Sequence, residues 1–229
     1  MTNKPRVSPV SRRDALRYAA AATALTGLGA AAARAGAPTA SAAAPTLIDF
    51  AMRQIPARDI LAAGHAGVIN YVSTSRPGSS MGAKPITLPY AQSLTAAGLA
   101  IVSNYQYGKP GGTAPSDFTR GYAGGVADAR TAWQLHTAAG GGQSAPIFFS
   151  VDDDIDRDTW NNVALQWFRG INSVLGVQRT GIYGGIRPCP VSFTHLTLPT
   201  IYSVENSVGT GLLKKTKKRL VACRRHILG

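Results

Sequence analysis

Five short apolar runs alternate with stretches of helical period between residues 46 and 185, and this alternation restricts the fold more than any other feature. The runs lie at 46–51, 67–73, 99–108, 146–151 and 179–185. Between them the spacing predicts a brief helix from Pro56 to Ala63, stopped by Gly64, and a second from Pro89 to Ala97, ended by Gly98. A third, capped by Ser116, carries Phe118, Tyr122, Val126, Ala129 and Trp133 at spacings of three and four and stops at the glycines of 140–142. The fourth starts at Asp158, sets Trp160, Val163, Ala164, Trp167, Ile171 and Val174 on one face, and closes at Gly176. A β-α-β-α-β-α-β-α-β order with short loops argues for a parallel sheet, either a (β/α) barrel or an open doubly wound sheet. No strand runs into a Gly-x-Gly-x-x-Gly turn, and the loop Lys109-Pro110-Gly111-Gly112-Thr113 lacks the Gly-Lys-Ser/Thr of a phosphate loop, so nucleotide cofactors are not expected.

The fourth run carries the chemistry. Ile147, Phe148, Phe149 and Val151 suit a strand buried on both faces, and the run ends in four carboxylates within five positions: Asp152, Asp153, Asp154 and Asp156. A buried parallel strand that delivers acids to its C-terminal end is where α/β folds place their sites. Asp154, Asp156 and Asp158 also suit the cap and first turn of the next helix. Asp152 sits earliest, on the strand end itself, where apolar surroundings and two neighbouring acids are expected to raise its pKa. The run imitates the start of a calcium loop, but Arg157 stands where glycine is needed and Val163 where a bidentate Glu is needed, so no metal is expected.

Charge divides the chain into three. The formal net charge is +13 over 229 residues, but residues 1–44 contribute +5 and residues 191–229 contribute +6, leaving +2 on the middle. The central domain therefore gives no electrostatic reason to bind nucleic acid. At the N-terminus, Ser11-Arg12-Arg13-Asp14-Ala15-Leu16-Arg17 precedes a weakly apolar, Ala-rich run and several small-x-small sites up to Ala42. This resembles a twin-arginine export signal, with Ala15 where Phe is usual. The run is too weakly hydrophobic for a stable membrane anchor. The twin-arginine machinery is thus an expected partner, and the cell envelope or the exterior the expected location. After Pro190 the strand–helix pattern stops, and Lys214 to Arg219 with Arg224-Arg225-His226 form a basic end that reads as frameshifted or foreign sequence. The expected domains are a signal and linker at 1–44, an α/β domain at 45–190 and this tail at 191–229. The two cysteines, Cys189 and Cys223, are not predicted to form a bridge.

Ile48-Asp49-Phe50, Asn104-Tyr105-Gln106-Tyr107, Phe149-Ser150-Val151-Asp152 and Gly181-Ile182-Tyr183-Gly184 together resemble the glycoside-hydrolase-like domain of twin-arginine-exported actinobacterial proteins, distantly similar to the lysozymes of glycoside hydrolase family 25. The resemblance implies a TIM-like (β/α) barrel, here truncated after about five strands and therefore left with two unpaired edges and a tendency to aggregate. It implies a site at the C-terminal strand ends that acts on cell-wall glycan, with Asp152 as candidate general acid and Asp49 as its partner. Ser150 stands where those lysozymes carry another acid. Tyr105, Tyr107, Tyr183 and Asp154 become candidate sugar-contacting residues. An inert glycan-binding module of the envelope is the alternative, favoured by Ser150. Because the acid run departs from a calcium loop at both diagnostic positions, calcium is expected to leave the melting temperature unchanged; a calcium-dependent rise would show a metal site instead.

Overall fold

A computed structural model of the protein describes residues 46–184 and, as backbone, 203–206, 216–218 and 223–224. The leader expected at 1–44 lies outside the described residues, as do Cys189 and most of the tail. Five strands, β1 (Thr46–Asp49), β2 (His65–Tyr71), β3 (Ala100–Tyr105), β4 (Ile147–Val151) and β5 (Thr180–Gly184), pair in parallel in chain order. The intervening helices are α1 (Ala57–Ala62), α2 (Leu88–Ala96), α3 (Gly121–Ala138) and α4 (Leu165–Leu175), the last entered through a short turn at Arg157–Thr159 and a π-helical turn at Trp160–Ala164.

Two observations decide between the folds left open by the alternation. The order β1-β2-β3-β4-β5 never reverses, so there is no switch point of the doubly wound kind. All four helices also contribute to one apolar cluster on one side of the sheet, through Ile60, Leu94, Ala129, Trp167 and Ile171, against Ile48, Val68, Ile147, Phe149 and Ile182. The opposite face holds its own small cluster of Leu47, Ile69 and Tyr183, with Val102 and Phe148. Right-handed crossovers that always return on the same face wind a sheet in the sense of a (β/α) barrel.

Period-two alternation sorts every strand between these faces. On β3, Ser103 and Tyr105 turn to the helices, where Ser103 Oγ lies 2.8 Å from His136 Nδ1 and Tyr105 donates to Asp128 Oδ1 at 2.7 Å. Asn104, between them, turns to the other face and bonds Ser150 of β4.

The third helix departs from its expected form. Ser116 makes no side-chain cap, and a 3-10 turn at Asp117–Arg120 precedes the helix. Asp117 instead turns back to accept the Tyr107 and Gly108 amides, each at 2.8 Å. The buried face is Gly124, Gly125, Asp128, Ala129, Ala132 and His136, and the expected stripe member Tyr122 is 51% exposed. The reason is the closeness of α4. A Cβ on Gly125 would lie 2.0 Å from the Trp167 carbonyl oxygen, and one on Gly170 would lie 2.1 Å from that of Tyr122. Two helices this close need small residues at the crossing. Asp128 then fastens the layer, accepting from Tyr105 of β3, from Trp167 Nε1 of α4 at 2.8 Å and from Arg120.

Three short tail segments extend the sheet. β6 (Ser203–Asn206) runs parallel to β1, β7 (Thr216–Lys218) lies antiparallel to β6, and β8 (Cys223–Arg224) lies antiparallel to β5. The two edges expected to stay open are therefore both met, because a strand edge presents unpaired backbone groups that any extended segment satisfies. Among the described residues, no helix is long and apolar enough to cross a membrane.

The α3–α4 crossing gives a direct test. Gly125→Ala is expected to destabilise the domain by about 1–3 kcal/mol through overpacking. Gly142→Ala, whose added Cβ meets nothing nearer than Ala145 at 3.8 Å, is expected to stay within about 0.5 kcal/mol. Urea unfolding of both variants measures the contrast.

Candidate functional site

The face opposite the helices is apolar at its N-terminal half and polar at its C-terminal half. Beyond the layer of Leu47, Ile69, Val102 and Phe148 come Asp49 of β1, Tyr71 of β2, Asn104 of β3, Ser150 of β4 and Tyr183 of β5. Gln106 and Asp152 lie just past the ends of β3 and β4. These groups form one polar array, held by three separate sets of hydrogen bonds. Asn104 and Ser150 exchange bonds of 3.0 and 3.3 Å. Tyr71 donates to Asp49 Oδ2 at 3.1 Å, and Tyr183 donates to the same oxygen at 2.5 Å. Gln106 Nε2 donates to Asp152 Oδ2 at 3.3 Å.

The Tyr183–Asp49 bond joins the first parallel strand to the fifth. In a flat sheet four strand spacings would part them by about 19 Å. The bond therefore requires a strongly curled sheet, and it sets the polar array on the concave side.

Asp49 is the electrostatic centre of the array. It is 5% exposed, and among the described residues its Oδ1 has no hydrogen-bond partner. Burial pushes its pKa up to about 6, against the two tyrosine bonds and the Lys84 ammonium, which favour the ionised form; the charge of Asp152 adds to the rise. Asp152 itself is exposed. The desolvation expected at the end of β4 is thus found at the end of β1, because Asp152 lies one residue beyond its strand while Asp49 is enclosed by two rings.

The remaining sequence candidates separate by face. Tyr183 is brought onto Asp49. Tyr105 is not brought to the array, since its hydroxyl is held by Asp128 and its ring packs on Phe149 at 5.7 Å in the helical layer. Tyr107 packs against that same layer, with its amide on Asp117 and its carbonyl taken by Arg76 Nε at 2.7 Å. Asp154 is exposed past the strand, and Asp156 caps the following turn by accepting the Thr159 amide at 2.7 Å. Neither Tyr71 of the array nor Lys84 beside it is a candidate from the sequence. Tyr71 was hidden in an apolar run, and Lys84 in a loop rich in Gly, Ser and Pro. The parity of β1 and β2, which puts Asp49 and Tyr71 on one face, is the signal that identifies the first.

Against known proteins, residues 58–224 match the family described as Rv2525c-like, glycoside hydrolase-like domain. The chain belongs to this family. A relative, the candidate peptidoglycan hydrolase Rv2525c of Mycobacterium tuberculosis, is 48% identical over 176 residues, which are 76% of this chain and 72% of that protein. A crystal structure of the Mycobacterium tuberculosis Tat-secreted protein Rv2525c in complex with HEPES aligns with a TM-score of 0.62 at 36% identity, covering 76% of this chain and 90% of that chain. A second crystal form, in complex with L-tartrate, aligns with the same TM-score at 35% identity and the same coverage. The motifs around Asn104, Asp152 and Tyr183 lie within the matched residues, and Asp49 lies ahead of them.

The buried acid has a consequence for stability. Its folded pKa of about 6 lies above the ordinary value of 3.8, so its contribution is fully favourable below 3.8 and is lost as pH rises through 6. A shift of about two pH units corresponds to about 3 kcal/mol. Asp49→Asn keeps an acceptor for both tyrosines and never ionises. It is expected to exceed the wild type in stability by up to about 3 kcal/mol at pH 8, with the gap closing toward pH 4. Equal gaps at the two pH values in urea unfolding would contradict the burial of an ionised Asp49.

Proposed function

We propose that this chain is an exported glycoside hydrolase of the cell envelope, acting on peptidoglycan or a related wall polysaccharide through Asp152 and Asp49. The observation that carries the reading is the pairing of one exposed carboxyl just after β4 with one buried carboxyl on β1, at the C-terminal end of a curled parallel sheet, with the charge of one acting on the other. Glycosidic cleavage needs a carboxyl that donates a proton to the leaving oxygen and a second that stabilises the oxocarbenium-like centre or activates water. Asp152 is the carboxyl within reach of a glycan, and it is the candidate general acid. Asp49 lies behind it and holds a proton up to about pH 6, so the pair carries fewer negative charges in mild acid than two independent carboxylates would. The name of the Mycobacterium tuberculosis relative supports wall glycan as the substrate class. The Tat secretion of that relative, together with Arg12-Arg13 and the Ala-rich run behind them, supports export by the twin-arginine route.

A second reading has its own observation. Ser150 stands where the family 25 lysozymes carry an acid, and here its hydroxyl is tied to Asn104, so β4 presents Asp152 without that neighbour. An inert glycan-binding module would look the same.

Reducing-end release from purified peptidoglycan separates the two. Hydrolysis is expected, with Asp152→Asn lowering the rate by at least about 100-fold and Asp49→Asn removing the inflection near pH 6 from the rate profile. Undiminished release by Asp152→Asn overturns the catalytic assignment. Sedimentation with the wall material without any release establishes the binding module.

A further inference from the structure

The loop between β2 and α2 sends Lys84 back over the polar end of the sheet. Its ammonium lies 4.1 Å from the centroid of the Tyr71 ring and donates to the Gln106 carbonyl at 2.7 Å, an oxygen that also accepts from Ser73 Oγ at 2.7 Å. Each of these two contacts leads to a different acid. Tyr71 ends on Asp49 Oδ2, and the Gln106 side chain ends on Asp152 Oδ2. A half-buried ammonium gives up part of its hydration, and the Tyr71 ring and the Gln106 carbonyl replace it here.

We propose that Lys84 is the positioning residue of the carboxyl pair, its ammonium fixing the Tyr71 arm that ends on Asp49 and the Gln106 arm that ends on Asp152. The role rests on the glycan-cleaving reading for its purpose, but its physical content does not need a substrate. The charged groups around the pair are few and come from every neighbouring element. Lys84 faces Asp49 of β1, Arg76 of its own loop, Lys109 of the loop after β3 and Asp117 ahead of α3. Asp49 faces Tyr71 of β2, Tyr183 of β5, Asp152 after β4 and Lys84. Burial lowers the Lys84 pKa to about 8, and the attraction of Asp49 opposes that fall. The ammonium is therefore charged across the range in which Asp49 titrates, and it favours the ionised form of Asp49.

The test follows both partners by NMR titration. In Lys84→Met, the Asp49 carboxyl midpoint is expected to rise from about 6 by about 1 pH unit, with Asp49→Asn supplying the assignment and Lys84→Arg restoring a midpoint near the wild-type one. In the reciprocal arm, Asp49→Asn is expected to lower the Lys84 midpoint from about 8. That arm decides alone if Lys84→Met does not fold. A residue that merely packs would change the melting temperature and leave both midpoints in place, and unmoved midpoints overturn the proposal. Coupled midpoints in a chain that releases no reducing ends sustain the role of Lys84 and remove the proposed reaction. Turnover with uncoupled midpoints does the reverse.

Discussion

One carboxylate oxygen, Oδ2 of Asp49, accepts hydrogen bonds from two strands that lie three positions apart in the parallel order, β2 and β5. That geometry is impossible on a flat sheet and fixes the curl of this one. The curl in turn explains the distribution of side chains. With the helices wrapped on the convex side, the concave side has room for a thin apolar layer and, above it, a row of polar groups bonded in small sets, with Asp49 Oδ1 left without a partner among the described residues. A buried acid would ordinarily be a liability. Here its cost is offset by two phenol donors and a nearby ammonium, and what remains appears as a raised pKa.

The convex layer is held by a different device with the same logic. Asp128 is also a buried acid with several donors, yet its partners come from β3, α4 and the turn before α3, so it ties the helices to the sheet. Trp167 serves both chemistries: its indole N–H meets Asp128, and its ring packs edge-on against Phe149 at 5.7 Å. The glycines at the α3–α4 crossing let the two backbones come close enough for this bond to form. His136 completes the far end of α3, its ring nitrogens at 2.8 Å from the Ser103 hydroxyl and 3.1 Å from the Gly142 carbonyl. Burial holds its pKa below the ordinary value.

The strands and helices were legible because apolar periodicity is a local property, and each expected element lies within a few residues of its observed place. The face of α3 was not. Its buried face is Gly124, Gly125, Ala129 and Ala132 with the polar Asp128 and His136, and of these Ala129 alone belongs to the expected apolar stripe. The site divided in the same way. Asp49, Asp152 and Tyr183 lie in the short motifs that carry the resemblance, whereas Tyr71 and Lys84 acquire meaning from neighbours 22 residues away in the sequence. Tyr105 shows the limit of reading a motif as a unit. Adjacent residues on a strand face opposite ways, so Asn104 and Tyr105 belong to different layers of the molecule.

The pairing of β6 with β1 gives the tail a mechanical role. Asn206 is the register partner of Asp49, so the backbone that carries the buried acid is braced on one side by β2 and on the other by a segment more than 150 positions further along the chain. The inner array fixes where the carboxylate points, and the flanking strand fixes where its Cα stands. The support of the acid's backbone thus depends on a segment far from it in the sequence.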